Sequence, residues 1–153
     1  LLKPYVTTEQ HIFEVIGLAS RLKLTVVPVL DNNNHFKGVI TTNDLIRHLA
    51  GLSSMDQPGG IIVLELIERD YSLSQIAQIV ESNNVKVLSM YITSPPDSTK
   101  LEVTLKVNTG DLVSVIRTFE RYSYEIKTWV TDNDSMDHFY SERFDLLMKY
   151  LNI

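Results

Sequence analysis

The chain has 153 residues, a net charge of −5, 44% hydrophobic and 22% charged residues, an ordinary globular composition able to bury a core. The acidic balance, with no Lys/Arg run, argues against nucleic acid as a partner, because phosphate binding needs a basic face. No apolar run approaches the ~18 residues of a membrane span. The absence of cysteine removes disulfides, thiolate metal sites and cysteine nucleophiles. It also fits a reducing compartment, so a cytoplasmic location is expected. The sequence opens on Leu1 rather than Met, close to structured sequence, and is expected to be a fragment lacking its N-terminal part.

Thr7 and Gln10 have capping-box spacing, and Ile12, Val15, Ile16, Ala19 and Leu22 then recur at helical spacing. Leu24 to Leu30 is mostly β-branched and reads as a buried strand. Pro28 removes one ladder hydrogen bond from it, which points to a sheet edge or to an exposed position beside a cleft. Asp31 to Asn34 is a turn cluster. A second strand runs from His35 to Thr41, and a helix from Asn43 to Leu49. The order through this segment is short strand, helix, strand, strand, helix.

The residues Val27-Pro28-Val29 and Gly38-Val39-Ile40-Thr41-Thr42-Asn43-Asp44-Leu45 resemble one repeat of a CBS domain, over residues 4 to about 52. The family signature is an apolar-Pro-Val strand, a turn, and Gly-x-x-Thr/Ser-x-x-Asp leading into a helix. The resemblance implies an adenosine-containing ligand, AMP, ADP, ATP or S-adenosylmethionine. Carried over by position, Asp44 would hold ribose hydroxyls, Thr41 would reach phosphate or ribose, and Val27 and Pro28 would lie beside the base. Gly38 would allow close backbone packing. A first-turn carboxylate suits neutral hydroxyl donors better than a phosphate lying over it. The same residues also serve without a ligand, Thr41 or Thr42 as N-cap and Asp44 as an acid complementing the helix dipole. CBS repeats work in pairs and no second Gly-x-x-Thr-x-x-Asp follows, so the partner repeat is expected from missing N-terminal sequence or from another chain.

Gly51 to Gly60 gathers Gly, Ser and Pro while periodicity lapses, marking a hinge or domain boundary. Ile61 to Ile67 reads as a strand. Ser72 and Gln75 again have capping-box spacing, ahead of Leu73, Ile76, Ala77 and Val80 on one helical face. A strand through Val87 follows, with Leu88, Met90 and Ile92 alternating, then a turn over Ser94 to Ser98. Leu101, Val103, Leu105 and Val107 alternate with polar residues, the pattern of a half-buried antiparallel strand. Leu112, Ile116 and Phe119 mark a second helix, and Tyr124 to Val130 a fourth strand. The sum is βαββαβ, the ferredoxin-like arrangement. After a CBS unit this resembles an ACT domain, a module that often binds amino acids at its first strand–helix junction. Here that junction is Arg69-Asp70-Tyr71-Ser72-Leu73, which lacks the family's glycine and brings the Tyr71 and Ser72 side chains to where a ligand would need room. The layout is similar to the second half of acetoin-utilisation B-type proteins.

Asp132 to Asp137 reads as an acidic connector, since it lacks the glycine and distal glutamate of a calcium loop. From His138 an amphipathic helix is expected, with Tyr140, Phe144, Leu147 and Leu151 on a stripe that must bury itself. His11, His35, His48 and His138 have no metal-ligand spacing. Trp129 reads as core or interface. No nucleophile–base arrangement, paired-carboxylate motif or phosphate loop is visible, so neither an enzyme nor a metal site is expected, and no cofactor is required. The fold class is α+β: a CBS-type βαββα unit (1–52), a linker (53–59), an ACT-like ferredoxin fold domain (60–131), and a connector with a C-terminal helix (132–153). The functional expectation is a regulatory module sensing an adenine nucleotide, assembled as a homodimer through its exposed edges and tail helix. A structural module with an empty CBS cleft and an amino-acid sensor stand as alternatives.

Overall fold

The computed structural model describes residues 3–131 and 134–151, with side chains 134–140 left out of the description. The chain divides into two compact units, Leu1–Leu52 and Ser53–Ile153. It is a mixed α+β chain with two separate sheets.

The first unit runs β1 (Val6–Thr7), α1 (Ile12–Leu22), β2 (Val26–Leu30), β3 (Phe36–Thr41), α2 (Thr42–Leu52). β1 pairs parallel with β2 through Val6–Val29 and Thr7–Leu30, and β2 pairs antiparallel with β3. This makes β2 the central strand, not the edge that Pro28 suggested. The proline is tolerated because β1 reaches only Val29 and Leu30; at Pro28 the ladder has one strand neighbour, Val39. Val6, Val15, Leu18, Ala19, Val27 and Leu45 form the core.

Only half of the predicted Thr7–Gln10 box forms. Gln10 Oε1 accepts the Thr7 N–H at 2.8 Å, but the N-cap is His11, whose Nδ1 accepts the Phe13 N–H at 3.1 Å. Sheet pairing draws Thr7 into β1, so the helix opens later. Leu18 also belongs to the buried face of α1, which the helical reading had left out.

The second unit runs β4 (Gly60–Ile67), a single 3-10 turn (Glu68–Asp70), α3 (Leu73–Ser82), β5 (Val87–Thr93), β6 (Lys100–Val107), α4 (Val113–Arg121), β7 (Glu125–Val130) and α5 (Asp134–Leu151). Its sheet order is β5-β6-β4-β7, and every pairing is antiparallel. Alternate residues of β4 (Ile62, Leu64, Leu66) and β6 (Val103, Leu105, Val107) turn to one face, as the period-2 pattern predicts. There they meet Ile76, Ile79 and Val80 of α3 and Val115, Ile116 and Phe119 of α4. Leu73, expected on the buried face of α3, is exposed, and Ile79 lies there instead. Trp129 packs against the edge of this core.

The opposite face places Glu65 in the middle of an otherwise apolar strand. Lys100 Nζ bonds Glu65 Oε1 at 2.8 Å and Glu125 Oε2 at 3.0 Å, and Lys127 pairs with Glu102. The hydrogen bond from Lys100 holds the Glu65 carboxyl below its usual range, and the Glu65 bond leads in raising Lys100.

The stretch read as a hinge is fastened to the second unit. Ser89 Oγ donates to the Ser53 carbonyl at 2.9 Å, and Gly60 N–H donates to the Thr109 carbonyl at 2.7 Å. Gly59 has φ +148°, and a Cβ there would lie 2.0 Å from the Val107 carbonyl oxygen. The glycine is required by backbone contact, not by motion. At the other end, residues 132 and 133 of the expected acidic connector lie outside the described residues, and the helix opens at Asp134, earlier than the predicted His138. The Tyr140 and His138 side chains also lie outside the description, while Phe144, Leu147 and Leu151 remain exposed.

Two outcomes follow for urea unfolding. Gly59→Ala should destabilise the second unit by on the order of 3 kcal/mol, through overlap and a disfavoured dihedral. Phe119→Ala should cost roughly 3–5 kcal/mol, because the ring is fully buried in the core. A shift below about 1 kcal/mol in either variant would contradict the packing described.

Candidate functional site

The end of β3 and the start of α2 are joined by a reciprocal cap. Asp44 Oδ2 accepts the Thr41 N–H at 2.8 Å and the Thr41 hydroxyl at 2.7 Å, while Thr41 Oγ1 accepts the Asp44 N–H at 3.2 Å. This is capping-box logic with aspartate in the glutamate role. Thr42, the other N-cap candidate, is used differently: its N–H and hydroxyl both donate to the Thr25 carbonyl, at 3.0 and 3.1 Å. That pins the helix start to the entry of β2.

The cap spends one carboxylate oxygen. Asp44 Oδ1 has no hydrogen-bond partner among the described residues, and the side chain is exposed. The backbone N–H of Thr41, then its hydroxyl, hold the Asp44 carboxyl below the ordinary value of 3.8, with Arg47 adding to the effect. At neutral pH the group is therefore an ionised pure acceptor.

The sequence-derived site residues are distributed as follows. Pairings Val26–Thr41 and Pro28–Val39 put Val26, Pro28, Val39 and Thr41 on one face of the sheet, away from the core. Val27 alternates to the other face and is buried at 1% exposure, so only its backbone is available to a ligand. Gly38 stands opposite Val29 beside a bulge, with φ +152°. A Cβ there would meet nothing within 4 Å, so this glycine answers a dihedral requirement and not the close packing expected of it. Pro28, Thr41 and Asp44 are thus associated with one surface, and Val27 and Gly38 support it from the backbone.

Two further residues stand beside Asp44. Arg47 and His48, one turn along α2, share with it a shallow groove of about 410 Å³ closed by Gly51 and Leu52. Their i+3 and i+4 spacing from Asp44 was readable in the sequence, but the CBS signature ends at the aspartate and drew no attention to them. Val26, Val39 and Ile46 are exposed apolar residues of the same unit.

In the second unit, a groove of about 630 Å³ follows β4, lined in part by Asp70, Tyr71, Ser72, Lys100 and Tyr124. Tyr71, expected to fill this space, packs against the core and leaves it open. Ser72 is the N-cap of α3, accepting the Gln75 N–H at 3.4 Å, and the Gln75 side chain takes the Tyr124 hydroxyl at 2.8 Å. No cluster of metal-ligating side chains occurs among the described residues, and no described helix is long and apolar enough to cross a membrane.

The first unit is thus a small three-stranded sheet with a capped strand-to-helix junction. Compared with models of known families, residues 3–51 match the CBS domain, and that segment is a CBS domain. Such domains commonly serve regulatory roles and bind adenosine-containing ligands.

The ionised Asp44 makes the cap pH-dependent. Its folded-state value is depressed, so its contribution is present above 3.8 and is lost as pH falls through the folded value. Asp44→Asn should be less stable than the parent at neutral pH in urea unfolding, and the gap should close on acidification. A gap independent of pH would show that the carboxylate charge is not what holds the junction.

Proposed function

We propose that this chain is a non-enzymatic regulatory module whose CBS domain binds an adenosine-containing ligand, AMP, ADP, ATP or S-adenosylmethionine, at the junction of β3 and α2. The observation that carries this reading is the Thr41–Asp44 cap. It fixes the carboxylate in place and leaves Oδ1 open to accept from ribose hydroxyls. Arg47 and His48 on the next turn would face the phosphates, or the carboxylate of the methionine portion, and Pro28 with the Val27 backbone would border the base. A second CBS repeat, in the same or another chain, would cover the exposed Val26 and Val39. Ligand binding would then bias the packing of two repeats, and the linker would pass the change on.

The second unit supports assembly in this reading. Its strand order β5-β6-β4-β7 supports a ferredoxin-like, ACT-like reading, its edge strands favour a homodimer, and the lack of cysteine suits a cytoplasmic setting. The layout is consistent with the second half of an acetoin-utilisation B-type protein. The open groove at Asp70 and Tyr71 favours one second reading, an amino-acid sensor in which Asp70 would hold the ammonium group. Stabilisation by a single amino acid, lost in Asp70→Ala, would establish that alternative.

A thermal-shift panel of the four adenosine ligands tests the main reading. A ligand at about a hundred times its dissociation constant adds ~2.7 kcal/mol, a shift of several degrees. The ligand-induced shift, not the absolute melting temperature, should vanish in Asp44→Ala and shrink in Arg47→Ala. No shift with any ligand, or a shift that Asp44→Ala leaves intact, would count against the site.

A further inference from the structure

We infer that the exposed end of α5 and the groove beside it form a self-association surface, covered by the same surface of a second copy of this chain. This rests on the homodimer reading above and gives it a location. From Phe144 to Leu151 the helix exposes Phe144, Leu146, Leu147, Met148, Tyr150 and Leu151, with Tyr150 at 75% and Leu146 at 66%. Phe144, Leu147, Met148 and Leu151 recur at i, i+3, i+4 and i+7, a continuous apolar stripe. In proteins most helical stability comes from packing an amphipathic face rather than from propensity. Among the described side chains Arg143 ties the helix to its own unit, pairing with Glu120 at 2.7 Å and lying 6.0 Å over the Trp129 ring.

Beside the stripe is a groove of about 540 Å³, lined in part by Tyr124, Ile126, Trp129, Phe144 and Leu147. Projection and hollow are therefore neighbours on one surface. A two-fold axis sets the Met148, Tyr150 and Leu151 side chains of each copy against the groove of the other, the self-complementarity that an isologous contact requires. At roughly 150–200 Å² for a large side chain, these six residues leave on the order of 600 Å² uncovered per copy. Two copies then bury ~1,200 Å², the size at which specific interfaces begin.

Trp129 is the chain's single tryptophan, and it lines the groove. Sedimentation of the whole chain over a dilution series, read together with Trp129 emission, tests the inference. The expected result is a monomer–dimer equilibrium whose dissociation red-shifts the emission in step. Tyr150→Asp/Leu151→Asp should weaken association at least about tenfold, remove the concentration dependence of the emission, and keep the parent's core melting transition. Leu151→Ser, a milder change, should weaken association by itself and covers the case in which the double variant misfolds. A parent that is monomeric throughout overturns this inference and the homodimer reading together. A double variant that associates as tightly as the parent overturns this surface alone and leaves a dimer formed elsewhere. Asp44→Ala should associate like the parent, which separates assembly from nucleotide binding.

Discussion

The hydrogen bonds between Thr41 and Asp44 set the geometry of the strand-to-helix junction in the first unit. They do two things with one carboxylate: they satisfy the start of α2 and hold Asp44 beside the end of β3. A capping residue and a ligand contact are usually alternative explanations of a first-turn acid. Here they are compatible, because the cap engages only Oδ2. A carboxylate held by two donors is also kept ionised and fixed in place as an acceptor.

The second unit is organised by a different constraint, the closure of one sheet face by two helices. Its core is fully buried through Ile62, Leu64, Leu105, Ile116 and Phe119. The other face keeps its central charge, Glu65, by pairing it across strands with Lys100. Such partly exposed pairs add little stability. Their effect here is to let a carboxylate occupy a mid-strand position without leaving it unpaired. The packed glycine at 59 and the bond from Ser89 to the Ser53 carbonyl fasten the entry of β4 to this body. The stretch of low complexity is thus part of the second unit's framework.

The two units leave apolar surface uncovered in different places. In the CBS domain, Val26, Val39 and Ile46 are among the exposed apolar residues. In the second unit, exposure concentrates on α5. Contiguous apolar surface of this extent on a folded domain is of the kind that serves as an interaction surface.

Much of this was legible in the sequence because local patterns carry local physics. The alternation of Val103, Leu105 and Val107 dictates which face of β6 is buried, and Ser72 three residues before Gln75 announces the start of α3. The Gly38…Thr41…Asp44 spacing identified the CBS domain and its junction. Thr7 enters a strand because it pairs with Leu30, distant in sequence; of the two places Pro28 pointed to, β1 excludes a sheet edge, and the residue lies half-exposed on the face away from the core. Gly38 and Gly59 could be seen only as glycines; a dihedral in one case and the Val107 carbonyl in the other give the reasons. By itself, then, the sequence determined most element types and the CBS signature. Tertiary structure alone decided which carboxylate oxygen stays free, that Val27 points inward, and that the stripe on α5 remains uncovered. The first follows from the geometry of a local cap and the others from packing between distant residues, and no sequence periodicity records either.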